Sequence, residues 1–135
     1  MTASAGTPSR RSFVRVALGL SFVVLLTLAV VRAADPTGRW TATFTTDVGE
    51  QQYTYEFVVK GSTLTGTAKG SLTGESKISD GKIDGDKITF VENASFMEMP
   101  LQITYSGTMT SADEIQFTRN VADIANEKLV AKRVK

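Results

Sequence analysis

A chain of 135 residues without cysteine or histidine has room for one domain of about 100 residues behind a leader. It cannot build disulfides, Cys/His zinc sites, Ser-His-Asp or Cys-His nucleophile systems, or ordinary haem ligation. The net charge of +1 averages two unlike parts: Arg10, Arg11, Arg15 and Arg32 fall in the first 33 residues, and the remainder keeps 11 of the 15 basic residues and all 14 acidic ones, for a net charge of −3. A mildly acidic segment without a basic cluster gives no electrostatic case for nucleic acid.

Ser9-Arg10-Arg11-Ser12-Phe13-Val14-Arg15 places positive charge ahead of an apolar run from Val16 to Val31, broken only by Gly19, Ser21 and Thr27. This is the layout of a secretory signal peptide. Val31 and Ala33 occupy the third and first positions before an expected cut after Ala33, so residues 1–33 are read as a signal peptide. Residues 34–135 are read as the exported domain, periplasmic or secreted, with no stable membrane anchor after cleavage. The paired arginines, one further residue and Phe13 resemble the twin-arginine export motif. The general secretory route stays open, and so does an uncleaved anchor, although 16 apolar residues are short for a span of about 20.

From Gly38 onward, short alternating runs are separated by turn residues at regular intervals, which predicts an all-β sandwich or barrel. The first strand, 38–46, alternates Trp40, Ala42 and Phe44 with Arg39, Thr41, Thr43 and Thr45. A loop at 47–50 leads to a second strand, 51–60, with Tyr53, Tyr55, Phe57 and Val59 in one phase. Gly61-Ser62 makes a tight hairpin into a third strand bearing Leu64, Gly66 and Ala68, and Gly70 to Gly74 turns the chain again. The fourth strand carries Ile78 and Ile83, five apart and so out of phase, which predicts a bulge at Asp80-Gly81. Asp84-Gly85 is a hairpin signal before a fifth strand with Ile88 and Phe90 that reaches Glu92. A loop from Asn93 to Pro100 follows and carries Phe96, Met97 and Met99. The sixth strand has Leu101, Ile103, Tyr105, Gly107 and Met109 in phase, the seventh Ile115, Phe117, Arg119 and Val121, and the eighth Glu127, Leu129, Ala131 and Arg133. A helical turn within 121–129 is the only helix the pattern allows.

Eight hairpin-linked strands either close into an antiparallel up-and-down barrel, which removes both edges, or form an open two-layer sandwich. Closure sets Trp40 beside Arg133. Gly38-Arg39-Trp40 together with Arg133 resembles the lipocalin and calycin group, whose first strand carries Gly-x-Trp and whose last strand carries an arginine packed over that tryptophan. The resemblance implies a lipocalin-like barrel with Gly38, Trp40 and Arg133 at its closure. A second likeness covers most of the domain. The succession Gly38-Arg39-Trp40-Thr41-Ala42, Leu64-Thr65-Gly66-Thr67, Asp84-Gly85-Asp86-Lys87-Ile88, Ile103-Thr104-Tyr105-Ser106-Gly107 and Glu114-Ile115-Gln116-Phe117-Thr118-Arg119 resembles small secreted bacterial domains, found alone or appended to exported glycoside hydrolases and esterases. That likeness implies an accessory or binding role and no catalysis.

Up-and-down topology puts three tight hairpins at the Trp40 end and four longer or more apolar connections at the other, which is the expected mouth. Strand phase brings Tyr53, Glu92, Leu101 and Arg119 inward near that mouth. Tyr53, Tyr55, Tyr105 and Phe117 are candidates to stack on a ring, and Arg119 to clamp a carboxylate or sugar hydroxyl. The alternative is a core filled by its own side chains, with Arg119 paired to Glu92 across the sixth strand. Phe96, Met97 and Met99 are candidates for an apolar lid or an ordinary cap. Glu92 and Glu127 are both inward, but their strands are not neighbours and each has an arginine to pair with, which argues against a glycosidase carboxylate pair. Asp80-Gly81-Lys82 and Asp84-Gly85-Asp86 fit no EF-hand spacing and read as turns. The expectation is a non-enzymatic protein that needs no metal or cofactor and takes a small apolar or ring-bearing ligand, with a saccharide-associated module as the alternative.

Overall fold

Threonine, β-branched and aromatic residues favour extended backbone, and where the apolar ones recur at every second position a strand buries one face and wets the other. The structure, a computed structural model, describes residues 35–135; the predicted leader and its cleavage site lie outside the described residues. The pattern becomes eight strands: β1 (Gly38–Thr46), β2 (Gly49–Lys60), β3 (Thr63–Gly70), β4 (Gly74–Asp84), β5 (Lys87–Phe96), β6 (Met99–Ser111), β7 (Glu114–Val121) and β8 (Ala125–Arg133). Each pairs antiparallel with the next and β8 returns to β1, so the sheet is a closed up-and-down barrel and not a sandwich. Among the described residues there is no helix, and the region read as a helical turn is instead the β7–β8 hairpin.

The expected bulge is present. Ser79 pairs with Val91 and Lys82 with Thr89, which leaves Asp80 and Gly81 opposite Phe90 alone and turns both Ile78 and Ile83 into the core. The predicted loop at Asn93–Pro100 is not. The β5–β6 ladder continues through Ala94↔Leu101 to Phe96↔Met99, and only Met97 and Glu98, at φ 52° and 67°, form the turn. Asn93, Ser95 and Pro100 are poor strand formers, but the ladder of an already paired hairpin overrides that weak preference. The first loop shrinks in the same way to Asp47-Val48.

The inward faces fill most of the barrel. Phe90 stacks on Tyr105 at 4.3 Å between ring centroids, Tyr55 meets Tyr105 edge-on at 5.8 Å, and Phe117 lies edge-on to Phe90 and Tyr105. Gly107 makes room for this cluster, because a Cβ there would lie 2.3 Å from the Phe117 ring. The outer face carries Arg39, Thr41, Thr43, Glu56, Lys69, Gln102, Thr104, Gln116, Lys128 and Lys132, all exposed. This is a solvated surface, unlike the apolar band of a lipid-facing barrel.

The closing seam has a short backbone ladder: β1 and β8 pair at Trp40↔Arg133 and Thr41↔Lys132, and Val134 N–H donates to the Arg39 carbonyl at 2.8 Å. Side chains supply the rest. Trp40 is completely buried and its Nε1–H donates to the Pro36 carbonyl at 2.8 Å. The Arg133 guanidinium lies 4.5 Å from the tryptophan ring. Its three nitrogens donate to the carbonyls of Thr37 (2.7 Å), Asp35 (3.1 Å) and Ala112 (2.9 Å). Gly38 is required beneath it: its φ is +132°, and a Cβ would come within 3.0 Å of Arg133 Nη1. The cation–π contact alone is worth about 0.5–2 kcal/mol. With the carbonyl bonds added, Arg133→Ala is expected to cost about 2–3 kcal/mol in urea denaturation. Arg133→Lys should recover less than half, because an ammonium cannot reach three carbonyls in one plane.

Candidate functional site

The turns at 47–48, 71–73, 97–98 and 122–124 surround the end of the barrel opposite Trp40 and enclose a cavity of about 260 Å3. Its walls are Tyr53, Leu101, Ile103, Val121 and Ala125; Val48, Leu72 and Ile124 rim it from three of the turns and Phe96 from the end of β5. The polar groups that reach it are Asp47, Gln51, Thr73, Arg119 and Glu127.

Arg119 enters the barrel because it follows Ile115 and Phe117 at period 2 on a strand whose inner face is otherwise apolar. It is 2% exposed. Its guanidinium carbon lies 4.7 Å from the Phe44 ring centroid and 5.0 Å from that of Tyr53. A buried guanidinium needs a partner, and here the register supplies one: Arg119 stands directly opposite Glu127 on β8, and Nε donates to Glu127 Oε1 at 2.8 Å. Nη1 donates to the Tyr105 hydroxyl at 3.0 Å and Nη2 to Gln51 Oε1 at 3.3 Å. The expected Arg119–Glu92 pair is therefore corrected. Glu92 sits two strands away and Tyr105 stands between the two.

Glu92 is completely buried. One carboxylate oxygen accepts from Tyr105 at 2.9 Å, the other from Tyr53 at 3.1 Å and Ser76 at 3.3 Å. These bonds fix the direction of the remaining hydroxyls. The single O–H of Tyr105 points to Glu92, so in the 2.9 Å Tyr55–Tyr105 contact Tyr55 donates; by the same reasoning Thr73 donates to Tyr53 at 3.0 Å. Burial raises the Glu92 pKa above its ordinary 4.5, against the pull of the Tyr105 bond, the Arg119 charge and the Tyr53 and Ser76 bonds. Burial also pushes Tyr55 and Tyr105 well above the usual phenol range, so both remain neutral donors. For Arg119, burial works against the charge, but Tyr105 and Tyr53 outweigh it and raise its pKa, so it stays cationic.

Of the residues the sequence marks as ligand-binding, Tyr53, Phe96 and Arg119 line the cavity together. Tyr55, Tyr105 and Phe117 lie beneath it in the packed core, and Glu92 is sealed behind Tyr53 and Tyr105. Met97 and Met99 are 81% and 66% exposed on the β5–β6 hairpin and do not line the cavity; as neither lid nor cap do they cover it. The sequence reading missed Gln51 and Thr73. Gln51 is one period upstream of Tyr53 and was legible from strand phase, whereas Thr73 reaches the site from a turn and carries no such signal.

The fold and the cavity together define a small closed antiparallel barrel with one packed end and one open end. No family model matches this chain, and no curated protein matches it. Among solved structures, one described as "Structure of EF1p2_mFAP2b bound to DFHBI" is similar with a TM-score of 0.50 at 15% identity, over 73% of this chain and 93% of that chain. At that identity the likeness is one of fold.

Two measurements test this network. In a double-mutant cycle, Arg119→Met and Glu127→Gln should couple by roughly 1–3 kcal/mol, while Arg119→Met and Glu92→Gln couple more weakly. The second is pH. A carboxyl whose pKa is raised on folding holds its proton more tightly in the native state, so its contribution to stability is full below the unfolded value and is lost as pH rises through the folded one. The wild type should therefore lose stability relative to Glu92→Gln as pH climbs from about 4 to neutral, in urea denaturation at matched ionic strength.

Proposed function

We propose that this chain is an exported, non-enzymatic, lipocalin-like barrel that takes a small apolar or ring-bearing ligand at its open end. The observation that carries the reading is the cavity of about 260 Å3 walled by Tyr53, Leu101, Ile103, Val121 and Ala125. It is slightly below the roughly 300–1,000 Å3 of common ligand pockets, which suits a compact ligand. The structurally similar barrel is described as bound to DFHBI, which supports a ligand role for this architecture. A non-catalytic role is supported by the state of the acids: Glu92 is sealed under three hydroxyl donors and Glu127 is held by Arg119. Export rests on the sequence of residues 1–33. The saccharide-module alternative needs a strip of exposed aromatic rings, and among the described residues Phe96 is the one aromatic side chain that is exposed.

Native mass spectrometry of the protein taken from its own exported fraction tests the reading. A retained small molecule and an intact mass beginning at Ala34 are expected. Val121→Phe, which places a ring in the cavity, should weaken retention at least about tenfold while the melting temperature stays level or rises, because the added surface is apolar and buried. Retention unaffected by Val121→Phe would place the ligand elsewhere.

A further inference from the structure

The chemistry of the mouth goes further than its shape. The four turns around the cavity, with the two residues on either side of each, carry Asp47, Glu50, Glu75, Glu98 and Asp123 against a single base, Lys69. Among the described residues none of these five acids forms an ion pair, whereas at the closed end Asp113 and Glu114 pair with Arg133, Lys135 and Lys132. Three of the turns also expose an apolar side chain on the cavity rim: Val48, Leu72 and Ile124 are 64%, 43% and 83% exposed. The one cation inside, Arg119, has all three nitrogens engaged by Glu127, Tyr105 and Gln51, and aromatic rings beside it.

Resting on the reading of this cavity as a ligand site, we infer that its ligand class is a cationic amphiphile: an apolar body seated between Tyr53, Leu101 and Val121, with a positively charged head at the acidic, apolar-collared rim. An anionic head meets a rim of five carboxylates offset by one lysine, Lys69, which stands opposite Glu75 on the β3–β4 ladder. Inside, it finds a guanidinium whose charge Glu127 already neutralises, and to use Arg119 it would have to displace Glu127 or Gln51. A cationic head keeps its water on one side and gains the field of the rim while its body leaves water, so neither the apolar nor the electrostatic contribution is sacrificed.

The test holds shape constant and varies the head. The exported protein is loaded with the neutral probe N-phenyl-1-naphthylamine, and decylammonium, decanol and decanoate are each titrated to displace it at pH 7. Decylammonium should displace the probe at a concentration at least about tenfold below decanoate, and the ratio should shrink as salt rises from 10 mM to 1 M and screens the rim. Glu98→Gln with Asp123→Asn, both on exposed turns, should shrink the ratio at low salt. Glu127→Gln, which frees Arg119 from its counter-charge, should improve decanoate relative to decanol. Binding of the probe with decanoate equal to or tighter than decylammonium would overturn the charge selection alone. Failure of the neutral probe and of all three alkyl compounds to bind would overturn the reading of the cavity as a ligand site, and this inference with it.

Discussion

Closure of the sheet is the constraint on which the rest depends. An eight-stranded meander leaves two unpaired edges unless its last strand finds its first, and here only Trp40↔Arg133 and Thr41↔Lys132 make that pairing. With one more backbone bond from Val134 N–H to the Arg39 carbonyl, this is still a short ladder, and side chains reinforce it. The planar guanidinium of Arg133 therefore spans three carbonyls from two separate segments while covering the indole that plugs the end. Further along the same seam, toward the mouth, β1 and β8 part around a groove between Thr45-Thr46-Asp47 and Ala125 to Lys128. The barrel runs from the Arg133 clamp at one end to the cavity opening at the other.

The interior follows the same order. Next to the clamp the space is filled by packed rings, and toward the mouth Arg119 reaches across to Gln51 beneath the cavity. The boundary is a polar layer, not an apolar one. The Tyr105 hydroxyl accepts from Arg119 and from Tyr55 and donates to Glu92, so a single phenol ties a cation, an anion and a second phenol together. Polar groups in so dry a place are tolerable only when every one is satisfied. The cost of leaving any of them unpaired keeps Tyr53, Tyr105, Glu92 and Arg119 in one arrangement, which gives the cavity a fixed floor.

Period-2 alternation was legible residue by residue, and so were its exceptions: the odd spacing of Ile78 and Ile83 announced the bulge at Asp80-Gly81. Strand lengths were less legible. The region from Asn93 to Pro100 contains weak strand formers, yet it pairs because its hairpin partner is already in place, a cooperative effect that local preference cannot register. The partner of Arg119 was within reach, since a hairpin turning at 122–124 sets Arg119 opposite Glu127. Glu92 matches Arg119 in depth within the barrel, but the β7–β8 register sets Glu127 directly opposite it. The exposure of Met97 and Met99 was not legible, because an apolar side chain on a turn reads the same whether it folds over a mouth or points away.

By itself the sequence determined the all-β class, the inward face of each strand and the end at which the longer connections gather; the Trp40–Arg133 contact was implied by the lipocalin resemblance, and the closed barrel was decided over the open sandwich only by the tertiary structure. The strand phases and the sorting of the connections were legible in the chain itself. These follow from side-chain alternation and from the fact that hairpins reverse the chain at alternate ends, both of which are local properties. Tertiary structure alone decided that Tyr55, Tyr105 and Phe117 belong to the floor and not to the wall, that Arg119 is neutralised by Glu127, and that a cavity remains above them. Those outcomes depend on how side chains from eight strands share one enclosed volume, and no single segment of the chain contains that information.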